Sequence, residues 1–74
     1  MTEGDVETFH EDGVWRNRIQ GHQVLDDRFA RKTDAVEVGR DLAKSLHVEH
    51  IIKGLDGRIM DRSTYGHDPR DITG

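Results

Sequence analysis

The run Gly54-Leu55-Asp56-Gly57-Arg58-Ile59-Met60-Asp61-Arg62-Ser63-Thr64-Tyr65-Gly66-His67-Asp68-Pro69 constrains this chain more than any other stretch. Asp-Gly between two apolar runs is a strong hairpin signal, because a two-residue type I′ turn needs positive φ at both central positions. The stretch predicts strands over 48–55 and 58–63 joined by a two-residue turn at Asp56-Gly57. In that register Leu55 faces Arg58, Gly54 faces Ile59, Lys53 faces Met60 and Ile51 faces Arg62. Val48, His50, Ile52 and Ile59 then share one face and read as core. Ile51, Lys53, Leu55, Arg58, Met60 and Arg62 share the other, a mixture of apolar and basic side chains.

Earlier in the chain, runs at 6–9 and 14–19 flank Glu11-Asp12-Gly13, a short loop with glycine where a hairpin needs it. Period-two alternation puts Trp15, Asn17 and Ile19 on one face, with Arg16 and Arg18 on the other. A third strand is read at 24–29, although Asp26-Asp27 sits inside it. A helix is predicted over about 34–46, with Thr33 or Asp34 as its cap and Asp34 and Glu37 spaced as a capping box. Val36, Gly39, Leu42, Ala43 and Leu46 recur at three- and four-residue spacing and form its apolar stripe. Gly39 in mid-helix costs about 1 kcal/mol relative to alanine. Close approach of the helix to the sheet, near Trp15, is the expected reason for it.

Composition limits what can stabilise such a fold. The 74 residues contain no cysteine, are 32% hydrophobic and 35% charged, and carry a net charge of −4. One domain is implied, with a lean core and no disulfide or cysteine-bound zinc to support it, so oligomerisation is an expected source of stability. The apolar runs are no longer than dipeptides such as Val24-Leu25 and Ile51-Ile52, which argues against a membrane span or signal peptide and for a cytoplasmic protein. Glu3, Asp5, Glu7, Glu11 and Asp12 make the start acidic, whereas over residues 13–32 Arg16, Arg18, Arg28, Arg31 and Lys32 outweigh Asp26 and Asp27. That division reads as charge complementarity across the first hairpin.

Catalytic chemistry has little support. His47 and His50 form an H-x-x-H, but they straddle the boundary between helix and strand, where this spacing does not put two ligands on one face. His10, His22 and His67 fall in separate segments. No serine or threonine sits in a nucleophile pattern with histidine and acid, and Arg31-Lys32-Thr33 lacks the glycines of a phosphate loop. The sequence therefore predicts no enzyme, no metal, no cofactor and no small-molecule substrate.

Trp15 near a strand start, the helix entry Thr33-Asp34-Ala35-Val36, Leu42-Ala43, the hairpin Gly54-Leu55-Asp56-Gly57-Arg58-Ile59 and the exit Tyr65-Gly66-His67-Asp68-Pro69 form an ordered set of motifs. In these the chain resembles the bacterial domain of unknown function 2188 family, over roughly residues 5–69. The resemblance implies a small, standalone β-rich protein with one helix, and no particular reaction. Asn17 stands where that family usually has an apolar residue, and Gly39 where it usually has alanine.

The combined reading is an α+β domain over 5–65: four or five antiparallel strands with one helix across one face, a flexible start at 1–4 and an extended tail at 66–74. One helix covers only one face. The expected interaction face is the other, formed by Arg16, Arg18, Ile51, Lys53, Leu55, Arg58, Met60 and Arg62 if both hairpins share a sheet. Self-association as a homodimer, through this face or an edge strand, is the leading expectation for function. The alternative is nucleic-acid binding by the basic residues, against which the negative net charge weighs. Tyr65 is expected to pack on Trp15 or the helix.

Overall fold

The computed structural model describes residues 4–22 and 24–65. The predicted tail at 66–74, and all of the predicted flexible start except Gly4, lie outside the described residues. Gly4 itself donates a backbone hydrogen bond to Gln20. Strands β1 (Val6–Glu11) and β2 (Val14–Ile19), helix α1 (Lys32–Leu46) and strands β3 (Glu49–Lys53) and β4 (Ile59–Thr64) follow in that order. The strands form a single sheet in the order β2-β1-β3-β4, with α1 packed on β1, β2 and β3 but not on β4.

The α+β plan is as expected, but the sheet is mixed. β1 and β3 run parallel, and the other neighbours are antiparallel. The path of the chain explains this. After β2 it turns back along the outer edge of that strand, and α1 then returns it across the sheet to start β3 in the direction of β1. The predicted third strand at 24–29 is this return path. It meets β2 at only two bridges, Arg18 with Val24 and Trp15 with Phe29, and exposed Asp26 and Asp27 lie between them.

The two Asp-Gly turns also differ from each other. Asp12 and Gly13, with φ of 53° and 83°, form a two-residue connection between paired Glu11 and Val14. At the second turn the Gly57 N–H donates to Gly54 O and the Gly54 N–H to Arg58 O. Leu55, Asp56 and Gly57 therefore make a three-residue loop, with only Gly57 at positive φ (83°). Gly54 faces Arg58, so the pairing predicted from a two-residue turn is wrong around the loop. A bulge between Ile52 and Lys53 pairings restores the expected partner of Ile51, which is Arg62.

Helix α1 starts at Lys32, two residues before the predicted start, and extended Arg31 precedes it without a side-chain capping bond. Thr33 and Asp34 lie inside its first turn. Asp34 there still opposes the positive end of the helix dipole. His47 closes the helix in the left-handed conformation (φ 58°), and the His47 and Val48 N–H groups bond Lys44 O and Ala43 O as a Schellman motif. Ala35, Gly39 and Ala43 are the buried helical positions. This stripe of small residues replaces the predicted one: Val36 and Leu42 lie half-buried at its flanks, and Leu46 is exposed. Tyr65 lies at the helix end, with the Lys44 Nζ 5.7 Å from its ring centre.

Candidate functional site

The parallel β1–β3 pairing makes both hairpins one continuous surface, which decides where the predicted interaction residues fall. Register places Glu7, Phe9, Arg16, Arg18, Ile51, Lys53 and Arg62 on the face away from α1. Four of the predicted basic residues do share this face. Glu7 lies among them, and sequence reading assigned it only to the acidic start of the chain. Its carboxylate is buried, forms an ion pair with Arg18 and lies 2.8 Å from Lys53 Nζ. Burial opposes its ionisation, but hydrogen bonds from Lys53 and Arg18, together with their charges, hold its pKa below the ordinary value. The guanidinium of Arg18 also stacks 4.7 Å from the Phe9 ring centre. Arg62 pairs with Glu49 at 3.6 Å, and Arg16 donates to Leu25 O at 2.9 Å. Two carboxylates, Glu7 and Glu49, thus offset half of the charge of the four basic residues on this face.

The apolar half of the predicted site is rearranged. Ile51 is 0% exposed, not an open anchor, because its inner strand lies between Glu7 and Arg62, whose long side chains flank it in register. The β4 bulge then changes the faces of the next two residues. Lys53 pairs with Ile59, so Ile59 joins the helix-free face in place of the expected Met60. Met60 instead lines a groove with Trp15, Lys32 and Leu55 on the helix side. Leu55 and Arg58 belong to the loop at the hairpin tip, and Arg58 forms an exposed contact with Asp56 at 3.6 Å. Leu55 and Met60, 73% and 64% exposed, lie side by side in that groove, whereas Ile59, 48% exposed, lies on the opposite face of β4, a strand on which α1 does not pack.

Beneath α1 lies a second arrangement, which sequence reading missed. Thr8 Oγ1 donates to Asn17 Oδ1 at 2.5 Å and lies 2.7 Å from His50 Nε2, while Asn17 Nδ2 donates to Ala35 O of the helix at 3.0 Å. Thr8 and His50 are 42 residues apart in sequence, so no local spacing reveals the pair. A hydroxyl on an imidazole resembles an activated nucleophile. Here the hydroxyl proton is committed to Asn17, and all three side chains are buried. A Cβ at Gly39 would lie 2.6–2.7 Å from Asn17 Oδ1, His50 Nε2 and Thr8 Oγ1. Gly39 is therefore needed for close approach, over this polar trio and not over Trp15. His47, at the helix cap, shares no site with His50, and among the described residues no group of three His, Cys, Asp or Glu could hold a metal ion.

The model of a family described as "Uncharacterized protein conserved in bacteria (DUF2188)" matches residues 5–65. The chain belongs to this family. No curated protein and no solved structure matches it. Asn17 and Gly39 are neighbours in space: the missing methyl at Gly39 makes room for the Asn17 amide. No helix among the described residues is long and apolar enough to cross a membrane.

Proposed function

We propose that this domain is a small non-catalytic interaction module of the cytoplasm that self-associates as a homodimer through the β3–β4 end of its sheet. One observation carries the reading: Leu55 and Met60 are exposed side by side at the end of the second hairpin, with Ile59 exposed on the other face of the same strand, β4, on which α1 does not pack. β4 is also an edge strand, with no neighbour on its outer side among the described residues. Exposed apolar clusters and open edges are the surfaces that association removes from water. Sedimentation velocity across micromolar concentrations tests it. A dimer that Leu55→Asp with Met60→Lys converts to folded monomer supports the reading, and a strict monomer at every concentration removes it.

A second reading, binding of nucleic acid on the helix-free face, has in its favour that Arg16, Arg18, Lys53 and Arg62 lie on one surface. Glu7 and Glu49 oppose it by pairing with three of the four. Titration with duplex DNA at low and moderate salt separates the cases, since phosphate contacts weaken steeply as salt rises. Absence of binding at low salt removes this second reading.

A further inference from the structure

The contact between helix and sheet is built on a titratable group. Small apolar residues line the helix side of this contact, yet its centre is the imidazole of His50, 1% exposed beneath Gly39. The hydrogen bonds fix which form is present. Asn17 Nδ2 donates to the Ala35 carbonyl, so Asn17 Oδ1 is the acceptor for the Thr8 hydroxyl proton. The Thr8 oxygen must then accept from His50 Nε2–H. A second proton would go to Nδ1 and place a full charge in the core.

We propose that the Thr8–Asn17–His50 cluster under Gly39 is a proton-operated latch, in which protonation of His50 loosens α1 from the sheet. The surroundings of His50 support this from each packed element. β1 offers Val6 and Thr8, and β2 offers Asn17, all uncharged. α1 offers Arg40, which repels an imidazolium, and β4 offers Ser63 in register with His50 and Asp61, which attracts one. Burial and Arg40 outweigh Asp61, so the imidazole is held below its ordinary pKa of 6.5. The unfolded chain therefore binds the proton more readily than the folded one. Stability contributed by neutral His50 is complete above about 6.5 and is lost as pH falls from there toward the lowered value. One proton lowers the folding constant by up to about tenfold per pH unit in that window.

The latch concerns a different surface from the proposed dimer contact and stands or falls separately. Denaturant unfolding between pH 8 and 5, with hydrogen exchange read at each amide and corrected for intrinsic rate, tests it. Protection in the α1 turn Gly39–Ala43 should fall ahead of protection in β1, and the slope of stability with pH should disappear in His50→Gln. If His50→Gln does not fold, two exposed charge changes keep the test intact. Arg40→Ala should flatten the acid slope and Asp61→Asn should steepen it. An unchanged slope in folded His50→Gln, shifts of the same sign in both charge variants, or equal loss of protection in α1 and β1 would overturn the latch.

Discussion

The two hairpins of this protein are built around the same Asp-Gly dipeptide and differ in almost everything else. Asp12-Gly13 closes a ladder of six paired residues with no irregularity, under the helix and with β1 in the interior of the sheet. Asp56-Gly57 ends a looser loop, followed by a bulge and a strand whose side chains are mostly exposed. The dipeptide permits a left-handed residue in each case, but it does not choose the turn. In β1–β2 the choice is tied to packing: a register slip would carry Trp15, Asn17 and Ile19 off the helix face and expose Arg16 and Arg18 to the core. In β4 nothing packs from above, so an extra residue is absorbed at little cost. The regular hairpin supplies stability, and the irregular one supplies surface.

This contrast can be broken most directly with isoleucine. Ile51→Ala should destabilise the fold by about 3 kcal/mol in urea unfolding, as expected for a fully buried aliphatic side chain. The same change at Ile59, on the same face but half exposed, should cost under about 1 kcal/mol. Equal costs would mean that β4 is as well packed as β3.

Charge gives a second comparison. Glu7→Ala leaves Arg18 and Lys53 beside a buried gap and should cost about 2–3 kcal/mol, less than a wholly buried pair because both cations reach solvent. Glu49→Ala, at the exposed pair with Arg62, should fall within about 0.5 kcal/mol of wild type by the same measurement. Because the Glu7 pKa is lowered, its contribution is present above about 4.5 and disappears as pH falls through the lowered value. In an acid titration the onset of this loss therefore lies two units below the onset of the His50 loss.

Gly39→Ala should destabilise by about 2 kcal/mol despite the better helix propensity of alanine, because the methyl meets three hydrogen-bonded polar atoms. Combined with Asn17→Val, which has no atom at the Oδ1 position, it should cost at least about 0.5 kcal/mol less than the sum of the single changes. Strict additivity would show that the two positions are not coupled. One expected effect is a gain: His47→Gly should stabilise by up to about 1 kcal/mol, since it removes a side chain from a left-handed cap.

Legibility in the sequence divides along the same line. The faces of Trp15, Asn17, Ile19, Arg16 and Arg18 follow from period-two alternation, and the pairing of Glu7 with Arg18 realises the charge complementarity of the first hairpin. The helix was legible from its stripe, although its start was not, because the expected caps at Thr33 and Asp34 lie inside the first turn. Met60 and Ile59 occupy the faces opposite to those expected, because a three-residue loop and one bulge together shift the register of these two residues alone and leave no mark in composition. The burial of Ile51 and the trio under Gly39 depend on strands brought together from distant parts of the chain. Local spacing carries no information about such contacts.

Parallel pairing of β1 with β3 also sets an order on folding. The strand that begins the domain occupies an interior place in the sheet, yet its inner neighbour is made only after the turn, the return path and the helix. The first hairpin closes over a handful of residues, whereas β3 must find β1 across a loop of some forty, the slower kind of step. During synthesis β1 waits with one edge open until the chain through Lys53 has left the ribosome, and only then does the helix have a complete floor to rest on.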